Sequence, residues 1–242
     1  MVIHLAAITD AEYSIKNKDI VEHNNIESTK RIAKYCSSNK SKLIYISSTS
    51  VYGTQDNYVD EDCDEIDLKP QSPYAVSKLK EEKLLQNITG EEKFPFTICR
   101  FGTIYGTSPG IRFHTAVNKF CWQAVMNQPL TIWKTALNQK RPYLSLVDAC
   151  RALGHIIRHH LFDTGIYNIV TENLTVESIL NIIRKFIPNI RIDYIDSPIM
   201  NQLSYEVSNK KFRDTGFIYR GSIEKNIDET IKLLKNSNSL FL

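Results

Sequence analysis

The sequence has 242 residues and a mass of 27.8 kDa, enough for one large domain or one domain with a small appendage. Hydrophobic residues make up 42% of the chain and charged residues 24%, an ordinary balance for a globular fold with a substantial core. The formal net charge is only +3, and the basic residues are scattered among acidic ones, which argues against a nucleic-acid-binding surface.

Two further features bear on location. No stretch approaches the roughly 18 consecutive apolar residues of a membrane helix, and the N-terminus lacks the basic and long apolar segments of a signal peptide. The five cysteines are far apart and form no CxxC pair, which favours reduced, mostly buried thiols over disulfides or a zinc site. We therefore expect a cytoplasmic protein with no membrane segment. The cysteines are Cys36, Cys63, Cys99, Cys121 and Cys150.

The first half of the sequence alternates apolar strands with amphipathic helices. Val2 to Ala7 is an apolar run that ends in two small residues, as in a buried parallel strand. Ser72 and Pro73 suit the N-cap and the first position of a helix. The predicted elements are strands over 2–7, 42–47 and 96–101 and helices over 15–38 and 73–88. This order predicts an α/β fold with a doubly wound parallel sheet, because right-handed crossovers cover the sheet with helices.

The second half is less regular and predicts a smaller α+β portion. Helices are predicted near 113–127, 147–161, 176–186 and 222–234, and strands near 130–133, 143–146, 166–169 and 191–194. No Gly-, Ser- or Pro-rich linker separates the two halves. We therefore expect an α+β part, 111–242, that is attached to a sheet-based part, 1–110, and does not form an independent domain. Segments of the α+β part are expected to return to the sheet.

A tyrosine and a lysine one turn apart suggest chemistry at the strand ends. Tyr74 and Lys78 are at i and i+4 and share one helix face. Ligands of such sheets bind beyond the carboxyl ends of the strands, where Ser48 is also expected. A free tyrosine has a pKa of about 10, and a nearby ammonium favours its phenolate. The three groups suit removal of a proton from an alcohol while hydride leaves its carbon, although a lone Tyr-x-x-x-Lys also occurs on many solvated helices.

Five motifs in order place this pair in a wider pattern. The segments are VIHLAA, IYISSTSVYG, SPYAVSKLKEE, CRFGTIYG and RPYLSLVDACRAL. In this order they resemble the extended short-chain dehydrogenase/reductase family, in particular its NAD-dependent epimerase/dehydratase group that acts on nucleotide sugars. The resemblance covers nearly the whole chain. It implies a Rossmann-like sheet, with a partial dinucleotide-binding domain in 1–110 and a mainly substrate-binding portion in 111–242.

The resemblance implies a role for each matching residue at the cofactor side. Tyr74 is the expected general base, Lys78 the residue that holds the nicotinamide ribose, and Ser48 the donor to the sugar hydroxyl. The expected cofactor is NAD, with NADP as the alternative. The residues expected to line it are Ala6, Ala7, Ile46, Tyr74, Lys78, Phe101 and Gly102.

On the substrate side the resemblance implies a nucleotide sugar, with a UDP-sugar favoured. Arg141 matches the family's diphosphate-binding arginine, a role that suits the forked guanidinium. Asn118 matches the family's asparagine near the diphosphate, and residues 130–133 match the strand whose backbone meets the base. The alternative for Arg141 is a solvated charge beside Lys140, and the alternative for Trp133 is core packing. The residues expected to bind substrate are Ser48, Thr49, Thr103, Asn118, Leu130, Ile132, Trp133 and Arg141.

Departures from the family pattern favour one reaction over others. Family dehydratases carry an Asp-Glu pair directly after the Ser or Thr, and decarboxylating relatives keep a Glu there. This sequence has Thr49 and Ser50, so no acid is placed to protonate a leaving hydroxyl. We therefore expect a redox-neutral epimerase. A nucleotide-sugar reductase and a non-catalytic nucleotide-sugar-binding or assembly subunit are the alternatives.

The family's glycine-rich phosphate-binding loop has no counterpart in this sequence, which has no glycine before Gly53. The resemblance implies a truncated sheet that lacks roughly 60 residues, the length of a βαβ unit and one strand. Three explanations are open. Met1 is an internal start, another chain supplies the missing unit, or the chain is a remnant that binds without catalysis. The retained Ser, Tyr and Lys favour the first.

Two expectations concern partners and metals. The resemblance implies a homodimer through the helices over 15–38 and 73–88. His155, His159 and His160 lie near the end of one predicted helix, where their charge suits the helix dipole. With no third ligand in sight, we expect no metal site.

Overall fold

The structure is a computed structural model of the chain and describes residues 1–53, 58–88, 90–196 and 204–238. Its helices are α1 (Ala11–Lys16), α2 (Lys18–Ser38), α3 (Pro73–Gln86), α4 (Ala116–Val125), α5 (Leu146–Arg158), α6 (Val176–Phe186), α7 (Lys210–Asp214) and α8 (Ile223–Asn238). Its strands are β1 (Val2–His4), β2 (Leu43–Ser48), β3 (Tyr58–Val59), β4 (Phe96–Phe101), β5 (Thr103–Tyr105), β6 (Leu130–Trp133), β7 (Lys140–Ser145), β8 (Ile166–Ile169), β9 (Glu172–Thr175), β10 (Ile192–Ile195) and β11 (Glu206–Val207). Within the described ranges, no helix is both long and apolar enough to cross a bilayer.

The main sheet contains four parallel strands in the order β1-β2-β4-β8. β2 lies inside the sheet, where Ile44 pairs with Ile3 on one side and with Thr97 on the other. All six residues of β4 are buried, as expected for a strand with a helical layer on each face.

Helices cover both faces of this sheet. Side chains of α2, α3, β2 and β4, among them Leu85 and Tyr45, form a buried cluster on one face. On the other face, Ile156 of α5 and Phe212 of α7 share a buried cluster with Ile44. Because Ile44 and Tyr45 are adjacent in β2, their side chains point to opposite faces. The predicted doubly wound α/β fold is confirmed.

The second half of the chain forms its own smaller core around β6. Phe120 of α4, Ile183 of α6 and Ile227 of α8 belong to one buried cluster with Leu130. β6 pairs with β10, β3 pairs with β11, and β5, β7 and β9 form a three-stranded sheet. β8 also comes from the second half but pairs with β4 in the main sheet.

The first strand is shorter than its apolar run predicts. β1 ends at His4, and Leu5 is 64% exposed. The cause lies in α2, where Asn25 accepts a hydrogen bond from the backbone N–H of Ile8 (2.8 Å) and donates to the Ile8 carbonyl (3.1 Å). These bonds draw the chain after His4 toward α2 and out of line with β2.

The helix predicted over 15–38 is two helices. α1 begins after Asp10, whose carboxylate accepts from the backbone N–H of Tyr13 (2.9 Å). It ends at Lys16, and the next residue, Asn17, donates its side chain to the Tyr13 carbonyl and has a φ of −129°, which is not helical. α2 then continues to Ser38, as predicted.

Candidate active site

The end of β2 and the first turn of α3 meet at one edge of the main sheet. Ser72 caps α3 by accepting from the backbone N–H of Ala75 (3.1 Å), and Pro73 is its first residue, as predicted. This cap fixes the first turn of α3, so that Tyr74 lies close enough to Ser48 for the serine hydroxyl to lower the pKa of the phenol. The structure therefore brings together two of the three residues predicted to act on a hydroxyl.

The Ser48 hydroxyl has a defined direction. Ser48 ends β2 and caps the 3-10 turn Thr49–Tyr52. Its oxygen accepts from the backbone N–H of Ser50 (3.2 Å) and from the Ser50 hydroxyl (2.9 Å). Because these two bonds use both lone pairs of the oxygen, the Ser48 proton is available for donation to Tyr74.

Tyr74 is a weaker acid in its buried surroundings than a free tyrosine. Burial raises the pKa of Tyr74 to about 12, against the hydrogen bond with Ser48, which lowers it, and with the help of the Glu81 carboxylate. At pH 7 a phenol with such a pKa is ionised in roughly one molecule in 10⁵. Tyr74 thus needs an additional positive influence to act as a base.

Lys78 lies one turn further along α3 and is only 3% exposed. Its Nζ donates to the Ile46 carbonyl (3.0 Å) and to the Tyr45 hydroxyl (3.2 Å), and it lies 3.7 Å from Oε2 of Glu81. Burial lowers the pKa of Lys78, while the carboxylates of Glu81 and Glu82 oppose that shift. The ammonium is therefore held against β2.

The residues predicted to line a cofactor lie at the ends of the first three strands of the sheet. Ala6 is exposed and Ala7 half-buried after β1, and Ile46 is half-buried in β2. Phe101 and Gly102 are buried at the end of β4. Of these residues, Ile46 contacts the Lys78 ammonium through its carbonyl. An ammonium that can donate to ribose hydroxyls and apolar residues at the strand ends fit the nicotinamide-ribose half of NAD.

Gly102 has a second reason to be glycine. A Cβ at this position would lie 3.0 Å from the Pro142 carbonyl oxygen and 3.1 Å from backbone carbon atoms of Pro142 and Tyr143. The absence of a side chain lets the end of β4 approach β7 closely.

Asn118 supports the loop that precedes α4. It is buried, accepts from the backbone N–H of Gly106 (3.3 Å) and donates to the Arg112 carbonyl (3.1 Å). Arg112 in turn donates to the Thr9 hydroxyl (3.1 Å) after β1. These two bonds use one N–H and one lone pair of its amide, and the predicted role of Asn118 near the diphosphate stays a prediction.

Arg141 and Thr49 approach a common residue that the sequence did not single out, Tyr205. Burial raises the pKa of Tyr205, whereas the Arg141 guanidinium and a hydrogen bond with Thr49 lower it. Arg141 also donates to Gln139 (3.4 Å), and Thr49 donates to the Phe101 carbonyl (3.3 Å). Arg141 thus lies near Tyr205, which also interacts with Thr49 directly after β2. The Arg141 side chain is half-buried, not a fully solvated charge.

The remaining predicted substrate residues lie on β5 and β6. Thr103 is exposed on β5. On β6 the side chains of Leu130 and Ile132 are buried in the core, and Trp133 is half-buried and packs against the same core. Only the backbone of Leu130 and Ile132 is therefore suited to meet a base, in keeping with the predicted role of this strand.

Three buried polar residues next to the site were not predicted. Asn25 and Thr29 are buried on α2, and Glu81 is buried on α3. The signal for the first two was available, because Asn25, Thr29 and Ala33 follow one another at i, i+4 on the buried face of a helix. Glu81 has no such signal, since it stands within the charged run LKEEK.

No three His, Cys, Asp or Glu side chains cluster as metal ligands in the part of the chain that the structure describes. His155 stacks on His159 (4.1 Å between ring centres), and its Nε2 lies 3.0 Å from the Thr215 hydroxyl. All five cysteines are free, and Cys36, Cys99 and Cys121 are buried.

Comparison with known proteins finds a family model and several relatives that match this chain. The family model of the NAD dependent epimerase/dehydratase family matches residues 1–169. A dTDP-D-glucose 4,6-dehydratase of Dictyostelium discoideum is 28% identical, with 100% of this chain and 66% of that protein covered. An uncharacterized UDP-glucose epimerase, YtcB, of Bacillus subtilis is 28% identical, with 76% of this chain and 57% of that protein covered. The chain thus spans less than two thirds of the length of these relatives.

Solved structures agree with the fold. A UDP-glucuronic acid 4-epimerase from Bacillus cereus, in complex with UDP-glucuronic acid and NAD, superimposes with a TM-score of 0.83. Its identity is 24%, and the match covers 97% of this chain and 76% of that chain. At this identity the likeness establishes the Rossmann-like architecture.

Proposed function

The chain belongs to the NAD dependent epimerase/dehydratase family, and on that premise we propose that it is an epimerase-like oxidoreductase that acts on a nucleotide sugar with NAD. The observation that carries the proposal is the proximity of Ser48 to Tyr74, whose pKa the serine hydroxyl lowers, with Lys78 one turn further along α3. A hydroxyl, a phenol and an ammonium so arranged can take a proton from a sugar hydroxyl and return it.

The proposed chemistry assigns one task to each of these residues. Bound NAD supplies the acceptor and donor of hydride. Ser48 donates to the sugar oxygen, and Tyr74 takes the hydroxyl proton as the carbon is oxidised. Because burial raises the pKa of Tyr74 to about 12, the Lys78 ammonium, one turn further along α3, is assigned the task of favouring the phenolate.

Epimerisation is favoured over dehydration by the turn after β2. Thr49 donates to the Phe101 carbonyl and Ser50 donates to Ser48, so both hydroxyls are already committed within the protein. Residues 48–53 contain no carboxyl group that could protonate a leaving hydroxyl. Net reduction of a keto sugar uses the same three residues and is the nearest alternative.

The proposed substrate is a UDP-sugar, and it is bound by the α+β part of the chain. Arg141 is the proposed diphosphate ligand, because a half-buried guanidinium donates to two phosphate oxygens at once. Thr103 is proposed to contact the sugar, Asn118 to lie near the diphosphate, and the backbone of β6 to meet the base. The names of the relatives, which include a UDP-glucose epimerase, support this class of substrate.

A non-catalytic nucleotide-sugar-binding subunit is the second candidate. The observation in its favour is the position of Lys78, whose two hydrogen bonds are both to β2. Binding of the cofactor distinguishes the two candidates, since catalysis needs NAD and nucleotide-sugar binding does not.

We also propose a homodimer through α2 and α3 and a cytoplasmic location. Ile20 and Tyr35 of α2 are each more than half exposed, as expected if a second copy covers that helix. The free cysteines support a reducing compartment. Light scattering of the purified chain tests the dimer.

The test of the function is a titration of the native chain with NADH and with UDP-glucose, followed by an assay for exchange of hydride with the sugar. Tyr74→Phe should bind both ligands like the native chain and lower turnover by about 10²–10⁴-fold, the usual contribution of a general base. Turnover that persists in this variant would refute the assignment of Tyr74. Failure of NADH to bind, with UDP-glucose still bound, would support the non-catalytic candidate.

A further inference from the structure

Glu81 is a buried carboxylate that the proposed proton transfer does not use. It lies on α3 three residues after Lys78, is 1% exposed, and its Oε2 is 3.7 Å from the Lys78 Nζ. The adjacent Glu82 has its own buried partner, Arg100 (2.7 Å). Glu81 is therefore the carboxylate that is left to face the Lys78 ammonium.

A directed chain of hydrogen bonds anchors this carboxylate from behind. Thr29 of α2 donates its hydroxyl to Oε2 of Glu81 (2.6 Å), and Nε2 of His4 lies 3.2 Å from the Thr29 oxygen. A hydroxyl has a single proton, and in Thr29 it goes to the carboxylate. His4 must then donate from Nε2, which fixes its tautomer. The chain His4 to Thr29 to Glu81 thus runs from β1 through α2 to α3.

The other oxygen of Glu81 leaves the carboxylate short of partners. Oε1 is buried and has no hydrogen-bond partner among the described residues. A buried carboxylate with one unsatisfied oxygen is costly unless a positive charge is close. In this site the close positive charge is Lys78, which is itself buried and needs a counter-ion for the same reason.

We propose that Glu81 is a positioning residue of the catalytic site, which, anchored by Thr29, keeps the Lys78 side chain charged and held against β2. The inference rests on the proposed function only for the use of Lys78 in catalysis. The pairing itself is a property of the chain and holds with or without a bound cofactor.

The groups that face Lys78 come from three elements. They are Glu81 and Glu82 on α3, Tyr45 on β2 and His4 on β1. Burial lowers the pKa of Lys78, and Glu81 is the largest of the influences that raise it. Burial and the Lys78 charge lower the pKa of His4, so that His4 is neutral at pH 7. Loss of the Glu81 carboxylate should therefore lower the pKa of Lys78 further.

The first test reads the ionisation of Lys78 directly in the full chain. The chain is labelled with ¹³C at lysine Cε, and the Lys78 signal is identified by its loss in Lys78→Met. The nearly isosteric Glu81→Gln should lower the pKa of Lys78 by about 1–3 units, the usual influence of one close opposite charge. Glu22→Gln is the matched control, because it removes a carboxylate that pairs with the exposed Lys80 on the same two helices. An equal pKa in Glu81→Gln and the native chain would overturn the proposal.

A second test does not need Glu81→Gln to fold. Lys78→Met leaves Glu81 as an unpaired buried carboxylate, whose pKa must rise in the folded state. The protonated Glu81 carboxyl group then favours the folded state at low pH, and this contribution is lost as the group ionises at higher pH. The melting temperature should therefore fall toward pH 8 more steeply than in the native chain. The double variant Lys78→Met/Glu81→Gln should lose that extra dependence. If both variants show the same dependence, the proposal is wrong.

Neither test uses a cofactor or a sugar, so the outcomes separate this inference from the proposed function. A lowered pKa of Lys78 in an inactive chain would refute the proposed function and uphold the pairing. An unchanged pKa in an active chain would do the reverse.

Discussion

Glu82 of α3 and Arg100 of β4 form a buried, bidentate ion pair beside the candidate site. Nε of Arg100 lies 3.1 Å from Oε1 of Glu82, and Nη2 lies 2.7 Å from Oε2. Ser47 also donates to Oε1, and the guanidinium lies over the ring of Tyr52 at 4.8 Å. The pair joins α3, which carries Tyr74 and Lys78, to the sheet that carries Ser48.

Removal of one partner of this pair should destabilise the fold strongly. Glu82→Gln leaves the Arg100 guanidinium buried without a counter-ion, which should lower the free energy of unfolding by about 3–5 kcal/mol. Urea denaturation measures the change. Glu224→Gln is the control, because Glu224 pairs with Lys185 where both side chains are about half exposed, and it should cost less than about 1 kcal/mol. Similar losses in the two variants would show that the buried pair of Glu82 and Arg100 stabilises the fold no more than an exposed ion pair does.

Gly102→Ala should destabilise the chain through contact with backbone atoms. The new Cβ would meet the Pro142 carbonyl oxygen at 3.0 Å, and β4 and β7 would have to separate. We expect a loss of about 1–3 kcal/mol, the usual cost of overpacking. Gly110→Ala provides the comparison, since a Cβ there has no atom within 4 Å. Thermal unfolding of both variants decides the matter, and equal melting temperatures would contradict the close approach.

Stability should fall when pH is lowered from about 7 to 5, in part because of His155. Burial lowers the pKa of His155, helped by the neighbouring His159. The unfolded chain takes up this proton near pH 6.5 and the folded chain only at lower pH, so the unfolded state gains as pH falls. His155→Gln keeps a polar group near Thr215 and should flatten the dependence. His23→Gln, a substitution of a histidine at an exposed position of α2, is the control variant.

Part of that dependence should persist in His155→Gln. Burial and Lys78 also lower the pKa of His4, which therefore contributes with the same sign. Chemical denaturation at pH 5, 6 and 7 gives the slope for each variant. A slope in His155→Gln as steep as in the native chain would show that His155 titrates alike in both states.

The sequence was sufficient for the elements that carry their own signals. β6, β8 and α6 have the bounds that their apolar patterns predict, and the cap formed by Ser72 and Pro73 fixed the start of α3. The short strands β5 and β9 were missed, because their side chains are largely exposed or half-buried and show no alternation. Their pairing with β7 comes from chain segments that only the tertiary fold brings together.

The same limit applies to the site. Tyr74 and Lys78 were found because local spacing on one helix implies proximity, and Ser48 because strand ends share an edge of the sheet. Tyr205 could not be found in this way, since a backbone bond from its N–H to the Lys140 carbonyl (3.1 Å) joins positions far apart in sequence. Glu81 was hidden because its neighbours in the charged run LKEEK suggest a solvated face, whereas packing against α2 buries it.

Arg141→Ala should weaken nucleotide-sugar binding without unfolding the chain. Arg141 is half-buried on β7 and lies in the surroundings of Tyr205, so it can be directed at a ligand, whereas the adjacent Lys140 is exposed and pairs with Glu206 (2.8 Å). Loss of a charge-assisted hydrogen bond to a diphosphate should cost about 1.5–3 kcal/mol, measured by calorimetric titration with UDP. Lys140→Ala removes one positive charge from the next position and should change the affinity little. Equal losses in both variants would reduce the role of Arg141 to general charge, and unchanged affinity in Arg141→Ala would place the diphosphate elsewhere.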